Sequence, residues 1–211
     1  MVIVKLCQLF YHHPMSQPYV VTSMKQLLMI ASPGREDIID AVGVIGPCTV
    51  TQLARFIGRS RHALYYHVRA LRDSGLLLET HRSGAGKKRT GHYDLPGRPL
   101  SVRYDLSTER ARRAVITLAR TRLRSASRGF VRACRPDVAT LTGPTRNLWV
   151  ARWKGWMSDQ ELTEANSLLT RLVNLLHQGK SVSKTRRRCY ELTFALAPIV
   201  PQPVSHGAHG E

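Results

Sequence analysis

The sequence predicts an α+β protein in two parts: three short helices closed by a β-hairpin, then an α/β segment built around one long helix. Three observations predict it. Between Ser32 and Leu95, helix start and stop signals follow one another closely, leaving room only for short helices and tight turns. From Thr108 to Cys134, apolar residues keep a helical spacing without interruption. Elsewhere, short stretches alternate apolar and polar residues with the period of two that marks a half-buried strand. The expected division is an N-terminal extension at 1–31, a first domain at 32–98, a second at 99–200 and a tail at 201–211.

The first helix starts at Ser32-Pro33, because proline is at ease in a first turn and Glu36 and Asp37 suit the positive end of the helix dipole. Ile38, Ile39, Val42 and Ile45 form its apolar stripe, and Gly46-Pro47 ends it. A second helix starts at Thr49, which with Gln52 makes a T-x-x-Q capping box; Leu53, Ala54 and Ile57 face inward and Gly58 stops it. After this tight turn Ser60 caps a third helix that runs to Ser74-Gly75. Two strands come next, Leu76 to His81 and Gly91 to Leu95, joined by the glycine- and lysine-bearing tip RSGAGKKRT. Pro96-Gly97-Arg98-Pro99 then breaks the pattern, and Leu100 to Leu106 is expected as a further strand.

In the second part the long helix carries Ala111, Val115, Leu118, Ala119, Leu123, Ala126 and Phe130 at a drifting helical spacing, and Pro136 closes it. Alternation of Trp149, Ala151 and Trp153 predicts a strand over 147–157. Ser158 and Glu161 form a second capping box, followed by a helix with Leu162, Ala165, Leu168, Leu169, Leu172, Val173 and Leu176 on one face and Gly179 as its stop. Tyr190, Leu192, Phe194 and Leu196 alternate as a last half-buried strand. Residues 1–22 differ in character from the rest of the chain; they read as a mobile tail, or translation starts near Met24.

The formal net charge of +18 and a pI near 10.7 point to a polyanionic partner, with nucleic acid the default. A membrane surface is the weaker alternative, since no helix is strongly apolar on one face and lysine-rich on the other. Cys7, Cys48, Cys134 and Cys189 stand far apart without ligand spacing, which argues for reduced thiols in a cytosol rather than disulfides or zinc. The chain has no GxSxG, no phosphate-cradling GxxxxGK[ST] and no HExxH, and acids are scarce, so an enzyme is not expected. SGAGKK lacks the spacing of a nucleotide loop.

The second and third helices have the makings of a helix-turn-helix, in which the second of the pair enters the DNA major groove. Leu64, Val68 and Leu71 lie at i, i+4 and i+7 and form a packing face. The opposite face carries Arg61, His62, Tyr65, Tyr66 and Arg69, with no acid until Asp73. Arg61 can bond guanine in a bidentate way, and the tyrosines can pack on a thymine methyl or bond phosphate. The basic hairpin that follows can clamp the backbone alongside.

These residues carry a resemblance. CTVTQLARFIGRSRHALYYHVRALRDSGLL resembles the winged helix-turn-helix DNA-binding domain of ArsR-type bacterial transcriptional regulators: a capped helix, L-A-x-x-x-G, then S-x-x-x-[VL]-x-x-H-[LV]-x-x-L-x-x-x-G-L. The resemblance implies a homodimer on a palindromic operator in double-stranded DNA, repression as the commoner outcome, and a cytoplasmic, nucleoid-associated protein. It carries Ser60, Arg61, His62, Tyr65, Tyr66 and Arg69 over as recognition-helix contacts, and Arg82, Lys87, Lys88 and Arg89 as wing contacts. His67 matches the family's histidine, although its spacing puts it near the buried edge. Metal-sensing members carry a cysteine pair at the start of the recognition helix; this chain has none, and His12-His13, His206 and His209 define no site, so no metal and no cofactor are expected.

The second part is then a dimerisation or effector domain. The 108–134 helix offers an apolar stripe for pairing, and its arginines are solvated, meet phosphate, or hold an acidic partner. Trp149, Trp153 and Trp156 are expected as core or interface, or as a pocket for a small-molecule effector. The different-class alternative is a low-specificity RNA-binding or nucleoid-structuring protein using the same basic surface.

Overall fold

The computed structural model describes residues 17–84, 89–177 and 188–199. Its elements, in chain order, are β1 (Tyr19–Val21), α1 (Met24–Ile30), α2 (Pro33–Ile45), β2 (Cys48–Thr49), α3 (Val50–Ile57), α4 (Arg61–Asp73), β3 (Leu78–Ser83), β4 (Thr90–Asp94), β5 (Leu100–Val102), α5 (Glu109–Ala133) and α6 (Asp159–His177). Helices mixed with two small sheets make the protein α+β.

Local signals set the helix ends. Pro33 opens α2, where its missing N–H costs nothing, and Gly46-Pro47 closes it. At α3 the Thr49 hydroxyl accepts from the Gln52 amide at 3.2 Å, while the Gln52 side chain accepts from the Thr49 amide at 2.8 Å. Gly58 stops α3 at φ 75°, a left-handed conformation that favours glycine. Thr108 caps α5, and Ser158 with Glu161 caps α6 reciprocally. Gly179, the expected stop of α6, lies outside the described residues.

One core unites these pieces. Ile38 and Val42 of α2, Leu53 of α3, and Leu64, Val68 and Leu71 of α4 are fully buried, joined by Leu76 and Leu77. These two leucines are not the start of the expected strand. Gly75, at φ 75°, turns the chain so that both their amides bond the Leu71 carbonyl, and β3 begins only at Leu78. Cys48 is also enclosed, and burial pushes its thiol up to about 11, a protonated and unreactive state.

The core extends beyond the helices the spacing predicts. β5 is shorter than the expected 100–106 and pairs in parallel with β1, Tyr19 opposite Leu100 and Val21 opposite Val102. Val21, Leu27 and Ile30 are buried with the rest, so residues 19–30 are a strand and a helix rather than a tail. Residues 1–16 lie outside the described residues. Ala111, Ala114, Leu118 and Thr121 of α5 are buried, and Arg122 bonds Glu36 of α2 at 2.7 Å. Burial raises the Glu36 carboxyl above its ordinary range, and the Arg122 bond opposes that shift.

Two expected strands do not form. Residues 147–157 and 189–196 take up no regular structure. Trp149, Trp153 and Trp156 are 62%, 84% and 102% exposed, so they are neither core nor pocket lining in the described chain. Tyr190, Leu192, Phe194 and Leu196 are likewise exposed. Alternation alone does not make a strand, because the backbone needs a neighbouring strand and the apolar face needs something to cover it. α6 forms as expected but buries no residue.

Candidate nucleic-acid interface

The site begins with a short turn. Gly58 and Arg59 separate α3 from Ser60, whose hydroxyl accepts from the Ala63 amide at 3.3 Å and starts α4. Arg59 bonds Asp37 at 2.9 Å, tying the turn to the start of α2. With Leu64, Val68 and Leu71 locked in the core, the orientation of α4 about its axis is set. Every third or fourth residue on the far side must then face solvent.

That far side holds the predicted contacts together. Arg61, His62 and Arg69 are exposed, and Tyr65 and Tyr66 are 56% and 70% exposed. Arg61 and His62 occupy the first turn, the end that projects in a helix-turn-helix. Arg69 pairs with Asp73 at 3.8 Å, an exposed pair that leaves its guanidinium available. Ser60 uses its acceptor on the cap. His67 does not join this face: its ring lies beside Gly34, and burial, then Arg35 and Arg59, lower its pKa below the usual histidine value. It packs α4 against the start of α2.

A three-stranded sheet of order β2-β4-β3 stands next to α4. β2 brings Cys48 opposite Tyr93, and β3 pairs antiparallel with β4 from Leu78–Asp94 to Ser83–Thr90, with a bulge between Glu79 and His81. The hairpin adds residues that helix spacing cannot find. Tyr93 of β4 lines a concavity with Tyr65, Tyr66, Arg69 and Arg72 of α4. Arg72, at i+7 from Tyr65, was legible as a face residue; Tyr93 required the sheet pairing. Burial and then the Glu79 charge raise the Tyr93 phenol, so it stays a neutral donor at neutral pH.

The predicted hairpin residues divide. Arg82 is exposed but bonds Glu79, whose carboxyl it holds below its ordinary value. Arg89 is exposed at the foot of β4. Lys87 and Lys88 lie outside the described residues. His81 and His92 stack across the strands with centroids 4.0 Å apart and rings 17° from parallel.

No group of three or more metal-ligating side chains converges among the described residues, and His12, His13, His206 and His209 fall outside them. No helix among the described residues is long and apolar enough to cross a membrane.

Comparison with known proteins agrees with the α3–turn–α4 geometry. No curated protein matches the chain. Among solved structures, the crystal structure of RV1404 from Mycobacterium tuberculosis is similar at 14% identity, covering 72% of this chain and 82% of that one, with a TM-score of 0.27. That likeness is too slight to carry an argument. A family model described as a helix-turn-helix domain matches residues 30–80, which span α2, α3, α4 and the start of β3. Residues 30–80 of this chain are thus similar to a helix-turn-helix domain.

Proposed function

We propose that the protein is a sequence-specific, DNA-binding transcriptional regulator acting as a repressor, which binds a palindromic operator as a homodimer through a winged helix-turn-helix. The carrying observation is the α4 face: Arg61, His62, Tyr65, Tyr66 and Arg69 stand exposed together on a helix whose other side is locked in the core. The helix-turn-helix match and the net charge of +18 support DNA as the partner.

In this reading α4 lies in the major groove. Arg61 donates two hydrogen bonds to one guanine edge, and Tyr65 and Tyr66 pack on thymine methyls or donate to phosphates. The β3–β4 hairpin is the wing, with Arg82, Lys87, Lys88 and Arg89 along the backbone. These phosphate contacts raise affinity for every sequence, while the α4 contacts choose among sequences. Two copies related by a two-fold axis read two half-sites, and an occupied operator blocks transcription by exclusion.

Selection of bound fragments from random duplex DNA tests the proposal. A recovered palindrome is expected, and Arg61→Ala or Tyr65→Ala should change the bases preferred at discrete positions, each by about 1–3 kcal/mol. If these variants weaken all sequences equally and no motif is enriched, the protein is instead a low-specificity RNA-binding or nucleoid-structuring one.

A further inference from the structure

α5 has two apolar stripes, and only one is buried. Ala111, Ala114, Leu118 and Thr121 face the core. Ile116, Ala119, Leu123, Ala126 and Phe130 run along another side, spaced 3, 4, 3 and 4 residues apart. That is the spacing of a coiled-coil seam. Ile116 and Leu123 are 48% and 51% exposed, Ala119 is exposed as well, and Ala126 and Phe130 are half-buried.

α6 carries a seam of the same length and spacing: Leu162, Ala165, Leu169, Leu172 and Leu176. No residue of α6 is buried, against its own α5 or any other element. The two seams each span about 21 Å, from the rise of an α-helix. Their charges are opposite. α5 has eight arginines against Glu109, and Arg110, Arg120, Arg124, Arg128 and Arg132 have no ion pair among the described residues. α6 has Asp159, Glu161 and Glu164 against Arg171, in a chain of net charge +18.

We propose that the two helices are made for each other across copies: α6 of one protomer lies on the open seam of α5 of its partner, reciprocally, about a two-fold axis. This rests on the homodimer named above and identifies the surface that makes it. Pairing α5 with α5 would bring two arginine-rich faces together, and pairing α6 with α6 would oppose Glu161 and Glu164 and leave both α5 seams bare. The exchanged arrangement covers both seams in each protomer and neutralises part of the arginine face. Ala119 and Ala126 leave room opposite the bulkier leucines of α6, as knobs-into-holes packing requires.

The test uses the full chain and two variants with charges at the seam centres, Leu123→Lys on α5 and Leu169→Glu on α6. Leu123 is half exposed and Leu169 sits on a helix with no buried residue, so the folded protomer should tolerate both; circular dichroism checks this. Light scattering at micromolar concentration should find the wild type dimeric and each variant alone monomeric, with self-association at least about a hundredfold weaker, since a charge enters an apolar seam. An equimolar mixture of the two should recover dimers, because one interface then joins Lys to Glu and the other is wild type. α6 folding onto its own α5 cannot give that rescue. A monomeric wild type removes the homodimer itself and this interface with it. A wild-type dimer untouched by either variant overturns the interface alone, leaving a dimer built elsewhere. Loss of dimer in only one variant, or mixing without rescue, overturns the exchange in favour of pairing between like helices.

Discussion

Leu64 and Tyr65 are neighbours in the chain, and the geometry of α4 predicts opposite consequences for losing them. Leu64 is fully buried, whereas Tyr65 is 56% exposed on the far side. Leu64→Ala removes a branched group of three carbons from the centre of the core. At about 0.8 kcal/mol per buried carbon the transfer loss is about 2.4 kcal/mol, and incomplete collapse of the cavity brings the cost to about 3 kcal/mol. With a urea dependence of roughly 2 kcal/mol per molar, the unfolding midpoint should fall by about 1.5 M. Tyr65→Ala should leave stability within about 0.5 kcal/mol of wild type, as for other exposed positions. Its effect should appear in a fluorescence-anisotropy titration of selected duplex DNA, as a loss of about 1–3 kcal/mol of preference for the selected sequence. Equal destabilisation by the two variants, or an unchanged urea midpoint for Leu64→Ala, would refute the assignment of packing and reading faces.

Other outcomes rest on single features. Thr49→Ala removes the capping box of α3 and should cost about 1 kcal/mol, read as a drop of about 2–4 °C in the thermal midpoint. Glu36 supplies a pH signature. Because burial raises its carboxyl in the folded state, the folded protein holds that proton more tightly than the unfolded chain, a contribution complete below 4.5 and lost as pH rises through the folded value. The stability of wild type relative to Glu36→Gln should therefore decline as pH is raised from 4.5 towards neutrality, and a difference that grows instead would count against it. Lys87→Ala with Lys88→Ala should lower DNA affinity across all sequences and flatten its salt dependence by about one unit of log–log slope per lost phosphate contact. Trp156→Ala should leave urea stability unchanged, because the side chain is wholly exposed.

The sequence by itself determined whatever is settled within one helical turn. The Thr49–Gln52 box, the Gly58 stop and the Ser60 cap were legible because the bonds they make span three or four residues. The separation of Leu64, Val68 and Leu71 from Tyr65, Tyr66 and Arg69 was legible too, since helix periodicity sorts faces once the boundaries are known. Tertiary structure decided the rest. The parallel pairing of Tyr19–Val21 with Leu100–Val102 joins segments far apart in the chain, and neither strand carries a local sign of its partner. Tyr93 reaches the tyrosine face only through the register of β4 on β2 and β3. The drifting apolar spacing of the long helix hid two stripes, and only packing on α1 and α2 shows which one the protomer covers. Conversely, the alternation around Trp153 and Phe194 promised strands that do not form. A helix satisfies its own backbone, so its sequence can specify it; a strand takes its hydrogen bonds from a distant segment, and the chain must fold before that segment is known.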